Sequence, residues 1–342
     1  MSYDTIAGRC SKFIVRLLTN IRQKNIRQKI RSFTGAPALV GTLVIATVFS
    51  ILSNKFLTAD SISGTLAIVA ELGIVCVGMS FLMIAGHFDL SVGSVLGIAS
   101  MAFAMMAKAG WPHIIALVVT LAVCTLIGVI HGLIVVKTKV SSFIVTLGGL
   151  MLWRGVLLAI TGGFPIIVYE EKSWLLQILA GNFVARFSNS IFWLIGLVII
   201  FNFILNQTPY GNSVLAAGGD PKAARAQGIN VNRTVVINFA LCSMLAGFAG
   251  IIQFSRFMSV DALRGKEYEL QAIASAVIGG VLLTGGQGSI IGAVLGVLMI
   301  AMVKNGLVLV GADPYWYRAF IGVIIIIAAI INMRVGRRVS YE

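Results

Sequence analysis

Long apolar runs fill this 342-residue chain almost from end to end, and no other feature constrains its fold as strongly. Crossing a bilayer as a helix takes roughly 17–25 mostly apolar residues. Ten stretches meet that need: 37–53, 62–85, 90–108, 113–136, 141–161, 190–206, 235–256, 268–284, 288–304 and 316–333. Charged residues make up only 11% of the chain and hydrophobic ones 58%, against a charged share of about 25% in soluble domains. A backbone in hydrocarbon must satisfy its hydrogen bonds within its own segment or in a closed barrel. The alternating ten-residue pattern of a barrel strand is missing, so the spans read as helices. The predicted fold class is an all-α polytopic membrane protein of about ten transmembrane helices. A basic arm (1–35) precedes the membrane domain (36–333), a polar loop (206–234) interrupts it, and a short tail (334–342) follows.

A net charge of +14 raises the question of nucleic acid, and the placement of the charges answers it. Arg9, Lys12, Arg16, Arg22, Lys24, Arg27, Lys29 and Arg31 precede the first span. Lys137 and Lys139 follow the fourth, Lys222, Arg225 and Arg233 the sixth, and Arg334, Arg337 and Arg338 the last. In a ten-span chain these all fall on one side, which the positive-inside rule makes cytoplasmic, so both termini are expected there. Glu170 and Glu171 fall on the opposite side. The arm repeats Ile-Arg-Gln-Lys at 21–24 and 26–29, which suits either a solvated topogenic tail or a basic helix lying on anionic lipid. It does not read as a cleavable signal, having too many charges and no short apolar core ending in a small-residue cleavage site. Cys10, Cys76, Cys124 and Cys242 show no paired spacing, so buried thiols are expected rather than disulfides or a metal site.

Ionisable residues inside hydrocarbon cost a few kcal/mol on insertion scales, so each needs a reason. Glu71 interrupts the second span, and Arg154 sits within the fifth, placed to neutralise a carboxylate. Asp89 lies between two apolar runs among Gly86, Gly93 and Gly97, where a helix can break near a polar path. Each can line a substrate pathway or serve a structural pair, and Asp89 can instead accept from the backbone N–H of Ser91 or Val92. His87 is a pathway donor or a satisfied imidazole. His113 and His131 are read as interface residues.

Two segments carry further patterning. Gly93-Ser-Val-Leu-Gly97 and Gly288-Ser-Ile-Ile-Gly292 echo one another, as tight helix packing or an internal duplication would produce. In the polar loop, Asp220 can cap a helix, Pro221 suits its first position, Lys222–Gln227 favours it and Gly228 stops it. So short a helix is marginal alone and is either a connector or a docking element.

Together these residues resemble the permease subunits of bacterial ATP-binding-cassette importers for monosaccharides, of the ribose, xylose, arabinose and galactose type, from about residue 40 to 332. The resemblance rests on Asp89-Leu-Ser-Val-Gly-Ser94, Thr146-Leu-Gly with Arg154-Gly155, and Pro209-Tyr-Gly211. It continues through Ala217-Gly-Gly-Asp with Ala223-Ala-Arg225 and Gly228-Ile-Asn-Val231, then Gly279-Gly280, Gly285-Gly286, Gly288-Ser289 and Asn305-Gly-Leu307. It implies a type II importer-like permease in the bacterial inner membrane, working as a homodimer or paralogous heterodimer. A cytoplasmic ATPase and a periplasmic sugar-binding protein would be its partners, and no nucleic acid would be. It implies no catalytic residue, metal or cofactor on this chain, with ATP and Mg held by the ATPase. Gly218, Gly219, Asp220, Ala223, Arg225 and Gly228 match the segment that contacts the ATPase. Asp89 and Asn305 match polar positions of the membrane core; Glu71, His87, Phe88 and Arg154 complete the candidate pathway. The chain departs from its ribose-type relatives at His87-Phe88 and at Gly280-Val-Leu-Leu-Thr-Gly285, which bears on the cargo.

Alternating access driven by ATP follows from that resemblance. A nucleoside or a sugar-derived signal is the alternative cargo. A proton-coupled transporter working through Glu71 or Asp89 is a further alternative. A membrane enzyme lacks support, since no acid/base pair or nucleophile–His set is present.

Overall fold

The computed structural model describes residues 36–168, 173–184, 186–313, 316–324, 326 and 330. The basic arm 1–35, Cys10 within it, Glu170, Glu171 and the tail 334–342 lie outside the described residues.

The chain folds as α1 (Ala36–Leu52), α2 (Ala59–Ile84), α3 (Val92–Lys108), α4 (His113–Thr138) and α5 (Ser142–Thr161). Next come β1 (Ile166–Ile167), α6 (Trp174–Ala180), β2 (Asn182–Val184), β3 (Phe187–Ser188), α7 (Ser190–Gln207), α8 (Pro209–Gly219) and α9 (Pro221–Ala226). The last elements are α10 (Val231–Phe257), β4 (Ser259–Val260), α11 (Tyr268–Ile278) and α12 (Ile290–Leu309), and residues 316–324 are again helical. By length and composition α2, α4, α5, α7, α10 and α12 are able to cross a membrane; α1, α3 and α11 are shorter apolar helices.

Helix α10 is the hub, packed against α4, α3 and α2, while α12 packs on α2, α11 and α1. In its most apolar stretch α2 is 94% buried, whereas α4, α5 and α7 are 28%, 17% and 22% buried. Leu, Ile, Val and Phe side chains left open on those three outer helices suit hydrocarbon and not water.

The expected span 268–284 is corrected by the structure. Helix α11 stops at Ile278, so at 1.5 Å per residue it is only about 16 Å long. It ends where Gly280 takes the left-handed φ of 88° and the Val281 N–H turns back to the Ala276 carbonyl at 2.9 Å, while Gly279 lets the backbone of Gly292 and Ala293 pass where a Cβ would overlap them. The polar loop is also more ordered than its composition suggests. Most of 209–226 is helical, and α8 packs on α7 and α10 rather than standing in solvent.

Two ends of the bundle are distinct. At one, Gly86, Gly218, Gly285 and Gly286 meet backbone to backbone, and the N–H of Gly286 donates to the Ile84 carbonyl at 2.8 Å. At the other, β1 pairs antiparallel with β4, Ile166 opposite Val260, and Arg186 pairs with Asp60 at 2.9 Å.

Candidate functional site

The break between α2 and α3 builds the first polar site. Its freed amides find partners on α5: the Phe88 N–H donates to Ser142 Oγ at 3.2 Å and the Leu90 N–H to Thr146 Oγ1 at 3.0 Å. A chain break at membrane depth is tolerated only when its backbone groups are satisfied in this way. Asp89 is fully buried. Its Oδ1 accepts from the Ser91 N–H at 2.8 Å and from the Ser91 hydroxyl, and its Oδ2 accepts from Ser243 on α10 at 3.3 Å.

The Ser91 hydroxyl is also 3.2 Å from His131 Nδ1, and Trp153 Nε1 donates to His131 Nε2 at 3.1 Å. With Nε2 accepting, the imidazole proton sits on Nδ1 and is given to Ser91, so donors run Trp153, His131, Ser91, Asp89. This corrects the interface reading of His131, which is 3% exposed and nests against Gly149 of α5. His87 is half-buried, its ring centroid 6.0 Å from that of Phe239, and Phe88 packs beside the core.

Arg154 neutralises neither Glu71 nor Asp89. Its guanidinium donates to the carbonyls of Ala262 at 2.8 Å, Arg264 at 2.9 Å and Gly93 at 3.1 Å, tying the loop before α11 to the first turn of α3. Five fixed N–H donors suit it to gather several carbonyls at once.

Glu71 has a different partner. Arg256 Nε lies 3.1 Å from Glu71 Oε1, and Gln253 Nε2 donates to Glu71 Oε2 at 2.8 Å and also to the Tyr268 hydroxyl. Asn305 stands near the same end of α2, its amide donating to Ser61 Oγ at 2.8 Å and Thr65 Oγ1 at 2.9 Å. Those bonds clamp α12 to α2.

The predicted short helix is present as α9. Asp220 caps it, its Oδ1 accepting from the N–H groups of Lys222 at 2.9 Å and Ala223 at 3.0 Å. Those bonds, Ala223 first, hold its carboxyl below the ordinary carboxylate range. Arg225 and Ala223 are exposed while Ala224 is buried, and Gly228 ends the helix with φ 83°. Gly218 sits against the Ile84 carbonyl and the Gly286 N–H, with Gly219 beside Gly286. The end of α8, which leads directly into α9, is therefore packed on the end of α2 and the glycine turn before α12.

Sequence reasoning named the Ser91 N–H as a donor to Asp89, as observed, but missed the Ser91 and Ser243 hydroxyls and the His131–Trp153 pair behind them. It also missed Gln253 and Arg256 as partners of Glu71 and Tyr268 as a partner of Gln253. Gln253 and Arg256 did carry a signal: two polar residues three apart, on one face of the largely apolar last turns of α10. Cys76, Cys124 and Cys242 are free and buried. Among the described residues no three His, Cys, Asp or Glu side chains converge as a metal set.

Comparison with known proteins places this architecture. The chain is 34% identical to the ribose import permease protein of Bacillus subtilis over 295 residues, covering 86% of this chain and 91% of that protein. It is 30% identical to the xylose/arabinose import permease protein of Sulfolobus acidocaldarius, covering 93% and 89%. It is 32% identical to the fructose import permease protein of Rhizobium meliloti, covering 90% and 89%. No solved structure matches at a significant level. The family described as the branched-chain amino acid transport system / permease component matches residues 61–329. With that match running from the start of α2 through the last described helix, the chain belongs to this family of transport permeases.

Proposed function

We propose that this chain is the membrane-spanning subunit of an ATP-driven importer that carries a monosaccharide across the bacterial inner membrane. The observation that carries this reading is the similarity, over about nine-tenths of their length, to permeases whose names specify import of ribose, xylose/arabinose and fructose. The family description names branched-chain amino acids, but these full-length relatives favour sugar. The chain is a transport component and not an enzyme; ATP and Mg belong to a cytoplasmic partner ATPase.

Helix α9 is the element on which that ATPase seats. It is short, exposed and capped, and it is joined through α8 to the backbone contacts of Gly218 and Gly219. Two permease subunits, identical or paralogous, stand side by side, and a periplasmic sugar-binding protein delivers the cargo. About ten spans with both termini in the cytoplasm complete the arrangement, placing α9 on the ATPase side.

The test is reconstitution with the cognate ATPase and binding protein, followed by ATP-dependent uptake of labelled ribose, xylose, arabinose, fructose and nucleosides. Uptake of a sugar that needs ATP and is lost in Arg225→Glu supports the reading. Uptake that ignores ATP and follows the proton gradient overturns it.

A further inference from the structure

The buried cluster around Glu71 holds hydrogen-bonding capacity that the protein leaves unused. Gln253 is 2% exposed, yet its Oε1 has no partner among the described residues. Its Nε2 is already committed to Glu71 Oε2 and to the Tyr268 oxygen. Turning the amide over would set Oε1 against the Glu71 carboxylate, acceptor facing acceptor, so the orientation is dictated by Glu71. Tyr268 accepts from Gln253, which leaves its own O–H to donate. A lone acceptor therefore sits beside a free donor. Leaving a buried acceptor unsatisfied is costly, which calls for something that fills it.

The surroundings fit a polar and uncharged occupant. The carboxylates there are already paired: Glu71 with Arg256, whose side chain is 24% exposed, and the outlying Asp261 with Arg264 at 3.5 Å. Arg264, at 20%, and Phe257, at 47%, border the same place; the Arg256 and Arg264 guanidiniums lie 4.2 Å and 5.1 Å from the Phe257 ring centroid. Tyr268 is delivered there by a turn in which Gly265 and Glu267 both take positive φ, 79° and 71°. The cluster joins α2, α10 and the short α11, at the end of the bundle away from α9.

Building on the sugar-importer reading, we infer that Gln253 and Tyr268 form a hydroxyl-recognition subsite on the cargo's path, with Glu71 as the positioning residue. A sugar hydroxyl both donates and accepts. It gives its proton to Gln253 Oε1 and takes that of Tyr268, so the two unused positions are filled by one group. Glu71 holds the amide and Arg256 holds Glu71, and neither meets the sugar. Contact of this kind, two hydrogen bonds from neutral groups, is weak enough to release cargo on each cycle.

The experiment uses the full complex in proteoliposomes, with labelled ribose, xylose and fructose as probes. Sugar transported and ATP hydrolysed are counted together. Tyr268→Phe removes one oxygen and keeps the ring; Gln253→Met removes the amide at nearly the same length; Asp60→Asn, on the exposed pair at the same end, is the control. Sugar delivered per ATP is expected to fall about tenfold in Tyr268→Phe and Gln253→Met while binding-protein-stimulated hydrolysis stays within about twofold, and to hold in Asp60→Asn. Unchanged delivery in Tyr268→Phe overturns the subsite and leaves the cluster to hold an ordered water. Uptake and hydrolysis falling in parallel also overturns it, since that is what loss of packing does. Should Gln253→Met fail to assemble, Tyr268→Phe alone decides. A wild-type complex that moves none of the sugars removes the sugar-cargo reading on which the subsite rests, an outcome distinct from all of these.

Discussion

The indole N–H of Trp153 donates to Nε2 of His131 at 3.1 Å, and that one bond sets the direction of the donors that run through His131 and the Ser91 hydroxyl to Asp89. It holds the imidazole neutral with its proton on Nδ1, facing Ser91. Helices α4 and α5 are thereby tied to the break between α2 and α3. The Asp89 carboxylate terminates the chain of donors and accepts Ser243 from α10 as well.

Removing the ends of this chain should cost unequal amounts. Trp153→Phe keeps an aromatic ring and withdraws one donor, a loss of about 1 kcal/mol. Asp89→Ala strands the Ser91 N–H, the Ser91 hydroxyl and the Ser243 hydroxyl, at about 1–3 kcal/mol for each buried group left unpaired. Thermal melting in detergent should therefore fall further for Asp89→Ala; equal melting points would show that Asp89 does not anchor the chain.

Glycines at two places should behave in opposite ways. A Cβ at Gly218 would overlap the Ile84 carbonyl, so Gly218→Ala should lower folded yield through a strain of about 1–3 kcal/mol. Gly148, in α5, has nothing within 4 Å of its Cβ position, and Gly148→Ala should be neutral or gain up to about 1 kcal/mol of helix propensity. Size-exclusion profiles of the two variants compare them directly.

The cap of α9 should titrate. The folded carboxyl of Asp220 lies below its ordinary value of 3.8, so its contribution is present above that value and disappears as pH falls through the depressed one. Amide exchange across 221–227, corrected for intrinsic rate, should accelerate in that acid range in the wild type. Asp220→Asn keeps an acceptor and should abolish the titration; Asp220→Ala should exchange fast at every pH.

Arg154 should not be replaceable by Lys. An ammonium reaches from one point, and the carbonyls of Ala262, Arg264 and Gly93 require the spread of a guanidinium. Each lost bond to a charged donor costs about 1.5–3 kcal/mol, so Arg154→Lys should melt well below the wild type, and Arg154→Met lower still. A Lys variant as stable as the wild type would show that the charge alone suffices.

Sequence alone determined that the chain is helical and membrane-borne, where most spans begin and end, and that Asp220 caps a short helix. Those properties are local: apolar run length, basic flanks, and a cap-Pro-stop pattern act over neighbouring residues. Tertiary structure alone decided the partners of the buried polar groups. Glu71 meets Arg256 across 185 residues of chain, Asp89 meets His131 through Ser91, and Arg154 gathers backbone carbonyls beside Glu269 rather than pairing with Glu71 or Asp89. It also decided that α11 ends early, at the left-handed Gly280, with Gly279 packed against Gly292 and Ala293. A buried charge announces in sequence that it must be paired, since hydrocarbon makes solitude costly. Which residue answers it depends on how the helices pack, and no spacing along the chain encodes that.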